Sequence, residues 1–321
     1  MKKKIKCAVV GVGYLGKFHA DKYAILPNAE LVAICDSDSV RAKEIAEKYN
    51  TQSFSSYQEM LSKIELDAVS IATPAFSHYE ITKFFLTNGV HVLLEKPITT
   101  NVDEADELLA IAKKKKLILQ VGHLERFNSV YIALKSIVKR PLFIRSERSA
   151  PFKLRGTDVS VILDSMIHDI DLVQNLVLSP IKCIDAYGSP VLSDHIDIVN
   201  ARLEFENGCI ADLSASRISL KTRRELRIFE KDQLIKCDFG EKTLTTYHKG
   251  VGKIKPHIPE MVSEMHTCET TDALYTEIAA FLEAIKDQNT TETMAEDARD
   301  ALDTALKITE SVIKNGEKWK E

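Results

Sequence analysis

Three groups of residues in this 321-residue chain carry chemistry by their type and spacing. The first is Gly11-Val12-Gly13-Tyr14-Leu15-Gly16, a GxGxxG set between an apolar run and a helical pattern. Its first glycine permits a tight turn, its second admits a pyrophosphate against the backbone, and its third lets helix and strand pack closely. Free amides at the start of the helix then hold phosphate. Asp36 stands about 20 residues further on, at the end of the next apolar run, where an acid accepts ribose hydroxyls. A carboxylate there repels a 2′-phosphate, so NAD is expected, with Arg41 leaving room for NADP. The plainer role for Asp36 is to cap the helix that starts near Ser39.

The second group is Glu95-Lys96-Pro97, which follows the apolar run Val90 to Leu94. In an open α/β sheet the carboxyl ends of the strands form the ligand side, which would leave Lys96 beside the cofactor. The third is Asp164, His168, Asp171 and Asn175, spaced four, three and four apart in a segment otherwise rich in Val, Ile and Leu. On a helix these four form one polar stripe. An acid and an imidazole on a buried stripe need partners or a purpose. The purpose that fits is an aspartate-oriented histidine acting as a general acid or base. A satisfied interior network is the alternative. A metal held by Asp164, His168 and Asp171 finds no further ligand in the sequence, so no metal is expected.

The elements that must position these residues are legible from periodicity. Ile5 to Val10, Leu31 to Cys35, Ala68 to Ala72, Val90 to Leu94 and Leu117 to Val121 are short apolar runs, mostly followed by helical patterns. That alternation predicts a doubly wound parallel sheet, an α/β Rossmann domain over residues 1–122. Lys113 to Lys116 close one of its helices as the helix dipole prefers. From residue 123 the pattern predicts helices over Glu125 to Val138 and Asp158 to Leu178. Strands follow at Ile181 to Tyr187, Ile196 to Glu204, Ile210 to Ser216, Leu226 to Glu230 and Leu234 to Asp238. Turns such as Glu206-Asn207-Gly208 make this an open, mainly antiparallel sheet in an α+β domain over 123–321. His248 to Thr271, with two glycines and two prolines, reads as a surface excursion. Helices near Asp272 to Asp287 and Met294 to Lys314 end the chain and are able to pack back on the first domain.

GVGYLG after the first strand, Asp36 after the second, Thr73-Pro74 with His78, Glu95-Lys96-Pro97, and Asp164 with His168 at DxxxH spacing together resemble the Gfo/Idh/MocA oxidoreductases. The resemblance runs in order over roughly the first 180 residues. It implies NAD bound by the glycine turn, Asp36, Thr73, Pro74, His78 and Glu95. It also implies that Lys96, Asp164 and His168 surround the carbon being oxidised. The chain departs from the family pattern at Val159 to Leu163, commonly glycine-rich, and at Ala75, often asparagine; both bear on which sugar fits. The stretches Gly122 to Asn128 and Leu163 to Asp171 resemble the members that oxidise the 3-hydroxyl of a UDP-N-acetylhexosamine. For such a substrate Arg126, Arg148, Lys153 and Arg155 are the candidates to meet the diphosphate, since planar guanidinium groups suit it. Other members act on a free polyol or sugar or on another unsaturated substrate, and a non-catalytic NAD sensor would keep only the cofactor residues.

A net charge of -4 lacks the basic excess of nucleic-acid binders. No segment approaches the roughly 18 apolar residues of a membrane helix, and the opening Met1 to Val10 is too short for a signal peptide. Six cysteines without a CxxC pair suit reduced, buried thiols in a cytoplasm. An open sheet usually needs its face covered, so a homodimer or homotetramer is expected.

Overall fold

A computed structural model gives the fold and describes residues 4–153, 159–255, 258–287 and 295–316. The chain divides into two compact units, Met1–Leu124 with Asp272–Leu302 and Glu125–Thr271 with Asp303–Glu321.

In the first unit the strands are β1 (Ile5–Val10), β2 (Ala29–Cys35), β3 (Gln52–Phe54), β4 (Ala68–Ile71), β5 (His91–Glu95) and β6 (Leu119–Gly122). They alternate with helices α1 (Gly16–Ile25), α2 (Ser39–Lys48), α3 (Tyr57–Lys63), α4 (His78–Thr87) and α5 (Val102–Lys115). Every pairing is parallel, in the order β3-β2-β1-β4-β5-β6. Helices cover both faces, so all four residues of β4 are buried, which is why such strands read as unbroken apolar runs. The order of travel reverses between β1 and β4, and such a switch point opens a crevice at the carboxyl edge. The five expected strands are present; β3, only Gln-Ser-Phe, is a sixth that its sequence does not announce. Local chemistry sets the helix ends. Asp38 accepts from the amides of Val40 and Arg41 to cap α2, and Asn101 accepts from Glu104 to cap α5. Lys113, Lys114 and Lys115 form the last turn of α5, as their run of charge predicts.

In the second unit the strands are β7 (Phe143–Ser149), β8 (Ile181–Ser189), β9 (Ile198–Phe205), β10 (Ile210–Ser216), β11 (Arg223–Glu230), β12 (Gln233–Asp238), β13 (Thr243–Lys255) and β14 (Ile258–Thr267). They form one sheet in the order β14-β13-β12-β11-β7-β10-β9-β8, antiparallel except where β7 lies parallel to β10. Helices α6 (Ser129–Ile137) and α7 (Ile167–Val177) pack on one face, α6 against β12 and β13, α7 against β7 and β10. Alternation marks that face: Val199, Ala201, Leu203 and Phe205 of β9 are buried and their neighbours are not.

Two expectations need correction. Most of the segment expected as an excursion lies in β13 and the edge strand β14, which pair with each other. Gly250 and Gly252 fall where the register breaks between Lys249 and Lys253, and Pro259 lies in the edge strand β14, where proline is tolerated. The charged run Phe-Ile-Arg-Ser-Glu-Arg-Ser, not anticipated as a strand, is β7, in the middle of the sheet.

The chain ends in α8 (Ala273–Asp287) and α9 (Ala295–Gly316). Ile278, Phe281 and Leu282 of α8 join the first unit's core with Tyr23 and Leu26, each contributing about 1.5–3 kcal/mol by burial. All six cysteines are free, with Cys7, Cys35, Cys209 and Cys237 buried as expected but Cys183 exposed.

Candidate active site

The glycine turn is shaped as its three glycines require. Gly11 has φ of +84°, and a Cβ there would lie 2.8 Å from the carbonyl oxygen of Ala72. A Cβ on Gly16 would lie 1.7 Å from the carbonyl oxygen of Gly11, so only glycine lets α1 start this close to β1. A Cβ on Gly13 would meet nothing within 4 Å, which leaves that backbone open to a pyrophosphate. This cradle fits NAD. Val12 is buried, Tyr14 is exposed with its ring edge-on to Phe18, and Leu15 precedes α1.

Asp36, only 7% exposed, follows β2 beside the glycine turn. Its Oδ2 accepts from the Val12 amide at 2.8 Å and its Oδ1 from the Asp38 amide at 2.9 Å. Capping of α2 thus falls to Asp38, and Asp36 is tied to the glycine turn instead. Arg41 lies 3.6 Å from Asp36 and 3.1 Å from Asp38, so two carboxylates compensate its guanidinium.

Past β4, Thr73 and Pro74 lead into a short 3₁₀ turn, Ala75–Ser77, and Ser77 Oγ lies 2.9 Å from Thr73 Oγ1. His78, 1% exposed, has Nε2 2.9 Å from the Thr73 carbonyl and Nδ1 2.7 Å from the Pro97 carbonyl. Burial lowers its pKa against the pull of those carbonyls and of Glu95. His78, expected to meet the cofactor, lies between these two carbonyls, and in its neutral form it donates to one of them at a time. Lys96 is half-buried before a cis Lys96–Pro97 peptide. The carboxyl of Glu95 reaches back into the unit, where Oε1 lies 3.0 Å from Nε2 of His19. Burial resists its ionisation, but the hydrogen bond from His19 and the neighbouring charge of Lys96 hold it below the usual carboxylate range.

In the second unit Asp164 lies on a π turn, Ile162–Met166, where the Ile167 amide bonds back five residues to the Ile162 carbonyl. Such wide single turns occur mostly as bulges in helices, often at functional sites. His168 follows on the first turn of α7, and both side chains are half-buried. The lower half of the expected stripe is spent on packing: Asp171 pairs with Arg126, and Asn175 accepts from the Tyr131 hydroxyl at 2.9 Å.

The diphosphate candidates fare differently from expectation. Arg126 grips Asp171 through Nε at 2.8 Å and Nη2 at 2.6 Å. Arg148 grips Asp169 through Nε at 3.0 Å and Nη2 at 2.9 Å, and reaches Glu125 with Nη1 at 2.9 Å. At 5% and 8% exposure both guanidinium groups are buried against carboxylates. Lys153 is exposed, and Arg155 lies outside the described residues. Sequence reasoning passed over His19, three residues beyond Gly16, because a lone histidine within a helix gives no periodic signal. Among the described residues no three His, Cys, Asp or Glu side chains are grouped to hold a metal, and no helix is long and apolar enough to cross a membrane.

A parallel sheet in this strand order, a glycine turn open at its second glycine and an acid after β2 define an NAD-binding oxidoreductase. The chain belongs to the Gfo/Idh/MocA family: residues 5–123 match its oxidoreductase domain with NAD-binding Rossmann fold, and residues 141–233 match its C-terminal domain. Over 284 residues, 88% of each chain, it is 38% identical to a UDP-N-acetylglucosamine 3-dehydrogenase of Acidithiobacillus ferrooxidans. A solved structure of the enzyme of that name from the same organism superposes with a TM-score of 0.91 at 36% identity, covering 96% of this chain and 97% of the other. A scyllo-inositol 2-dehydrogenase of Bacillus subtilis is 28% identical over 68% of this chain and 69% of its own. The expected family, fold, cofactor and enzyme class are thereby borne out.

Proposed function

We propose that the protein oxidises the 3-hydroxyl of a UDP-N-acetylhexosamine such as UDP-N-acetylglucosamine to a ketone. The likeness to the 3-dehydrogenase over 88% of each chain carries this reading, at an identity well above that to the inositol enzyme. NAD, when bound, supplies the acceptor for the hydride. Gly11, Gly13 and Gly16 would admit its pyrophosphate, Asp36 would take the ribose hydroxyls, and Thr73 and Pro74 would flank it, held by Ser77 and His78. Lys96 or His168 takes the hydroxyl proton, Asp164 supports the imidazole charge, and the other cation steadies the alkoxide. With Arg126 and Arg148 committed to carboxylates, Lys153 and Arg155 remain as groups for the diphosphate. The enzyme would work in the cytoplasm as a homodimer or homotetramer, which sedimentation would decide.

The test is incubation of the protein with NAD and UDP-N-acetylglucosamine, trapping ketones and weighing the sugar nucleotide so that cofactor recycling cannot hide turnover. Loss of two hydrogens is the expected result. An unchanged sugar with NAD bound would remove this substrate and point to free polyols and sugars.

A further inference from the structure

Beneath the carboxyl edge of the parallel sheet, four side chains that the proposed chemistry does not use join in a line. Tyr23 and His19 come from α1, Ser70 from β4 and Glu95 from the end of β5. Tyr23, Ser70 and His19 are 1%, 0% and 1% exposed. The Tyr23 hydroxyl is 2.8 Å from Ser70 Oγ, Ser70 Oγ is 3.1 Å from His19 Nδ1, and His19 Nε2 is 3.0 Å from Glu95 Oε1.

Donor and acceptor arithmetic gives the line one direction. An ionised Glu95 only accepts, so Nε2 of His19 bears a hydrogen. Tyr23 has a hydrogen to give, and burial keeps it there by pushing the phenol well above its ordinary pKa. Its acceptor here is Ser70, which then passes its own hydrogen to Nδ1 of His19. With an imidazolium instead, Nδ1 would donate to Ser70 as well, and the line would hold one hydrogen too many: either the serine's or the tyrosine's would be left without an acceptor in a dry interior. Space has been left at the far end as well. Gly122 pairs with Glu95 across the sheet, and a Cβ there would come within 3.3 Å of the Glu95 carboxyl.

We propose that His19, locked in its Nε2–H tautomer by Ser70 and Tyr23, is a positioning residue that fixes the Glu95 carboxylate and with it the adjoining Lys96. The function it gives Lys96 rests on the dehydrogenase reading; the hydrogen-bond line stands without it. Titratable groups face Glu95 from several elements. The N–H of His19 on α1 and the ammonium of Lys96, next in the chain, favour its ionised form, and His78 on α4 faces it as well. Glu277 on α8 also faces this region, fully buried, with neither carboxyl oxygen hydrogen-bonded. Burial first, and the charge of Glu95 second, keep Glu277 protonated well above the usual carboxylate range. Without the His19 donor, burial would act on Glu95 with less opposition. The carboxylate would then protonate as the pH falls through a raised pKa, and the hold on Lys96 would loosen.

Two measurements test this. In the ¹⁵N-histidine spectrum of the whole protein, His19 should show the Nε2–H tautomer across neutral pH; an imidazolium or an Nδ1–H tautomer overturns the line, whatever sugar the enzyme oxidises. In the second, His19→Leu and His19→Gln are compared on a substrate the wild type turns over. His19→Leu should lose about tenfold in kcat, as expected for a lost charge-assisted bond, gain an acid limb in its pH profile, and bind NAD within about twofold of wild type. His19→Gln, which keeps an N–H donor, should restore most of the loss. A folded His19→Leu with unchanged kcat and pH profile overturns the positioning role. Should His19→Leu not fold, Tyr23→Phe takes its place: an unchanged pH profile together with an unshifted His19 tautomer overturns the proposal. If no sugar is turned over, a crystal structure of His19→Leu decides: Lys96 displaced by about 1 Å supports the role, and an unmoved Lys96 overturns it.

Discussion

At the scale of single residues the glycine turn separates two demands that one motif makes together. Gly16 is needed for packing and Gly13 for access. Replacing Gly16 by Ala drives a Cβ to within 1.7 Å of a backbone oxygen, so this variant should unfold at markedly lower temperature. Replacing Gly13 by Ala meets open space, so its melting temperature should hold while NAD affinity falls at least about tenfold. Calorimetric titration beside a melting curve distinguishes them. Lys96 is the residue on which the proposed chemistry most depends. Lys96→Met should lower kcat at least about a hundredfold with NAD affinity kept, the scale of a lost acid–base group. Retained turnover would take Lys96 out of the mechanism.

At the scale of elements, β7 and α8 show how burial redirects groups that look functional. Arg148 sits on β7 between Asp169 and Glu125, and removing one partner of a buried network costs about 3–5 kcal/mol. Arg148→Ala should therefore appear in urea unfolding; a raised KM with unchanged stability would return it to the diphosphate. On α8, Glu277 occupies the same buried stripe as Ile278 and Phe281. Its folded pKa lies above the unfolded one, so its contribution to stability is full below the unfolded pKa and is lost as pH rises toward the folded value. Glu277→Gln mimics the protonated form at every pH. Its melting temperature relative to wild type should therefore be higher at pH 8 than at pH 5, and a constant difference would show Glu277 ionised in the fold.

At the scale of the whole molecule, cofactor choice is read through folding stability. A ligand that binds only the folded state stabilises it by about 2.7 kcal/mol at a hundred times its Kd. NAD should raise the melting temperature strongly and NADP little, because Asp36 is buried as an acceptor and Arg41 is already compensated. Equal shifts would mean that Arg41 leaves Asp36 to receive a 2′-phosphate.

What the chain declares by itself is periodic or local. Five strands and their helices were legible because a parallel sheet covered on both faces needs unbroken apolar runs. The glycine turn was legible because its spacing follows from one backbone turn. Strands that departed from those patterns were not: β7 hides its buried side in arginine and serine, β13 carries Gly250 and Gly252, and β14 carries Pro259. Lys96, Asp164 and His168 could be named from the sequence, but how each side chain is spent depends on what lies opposite. Arg126, Arg148 and His78 had the types of ligand-binding groups. Tertiary contacts brought carboxylates to the two arginines and carbonyls to the histidine, and a buried polar group must take such partners because water is not there to replace them.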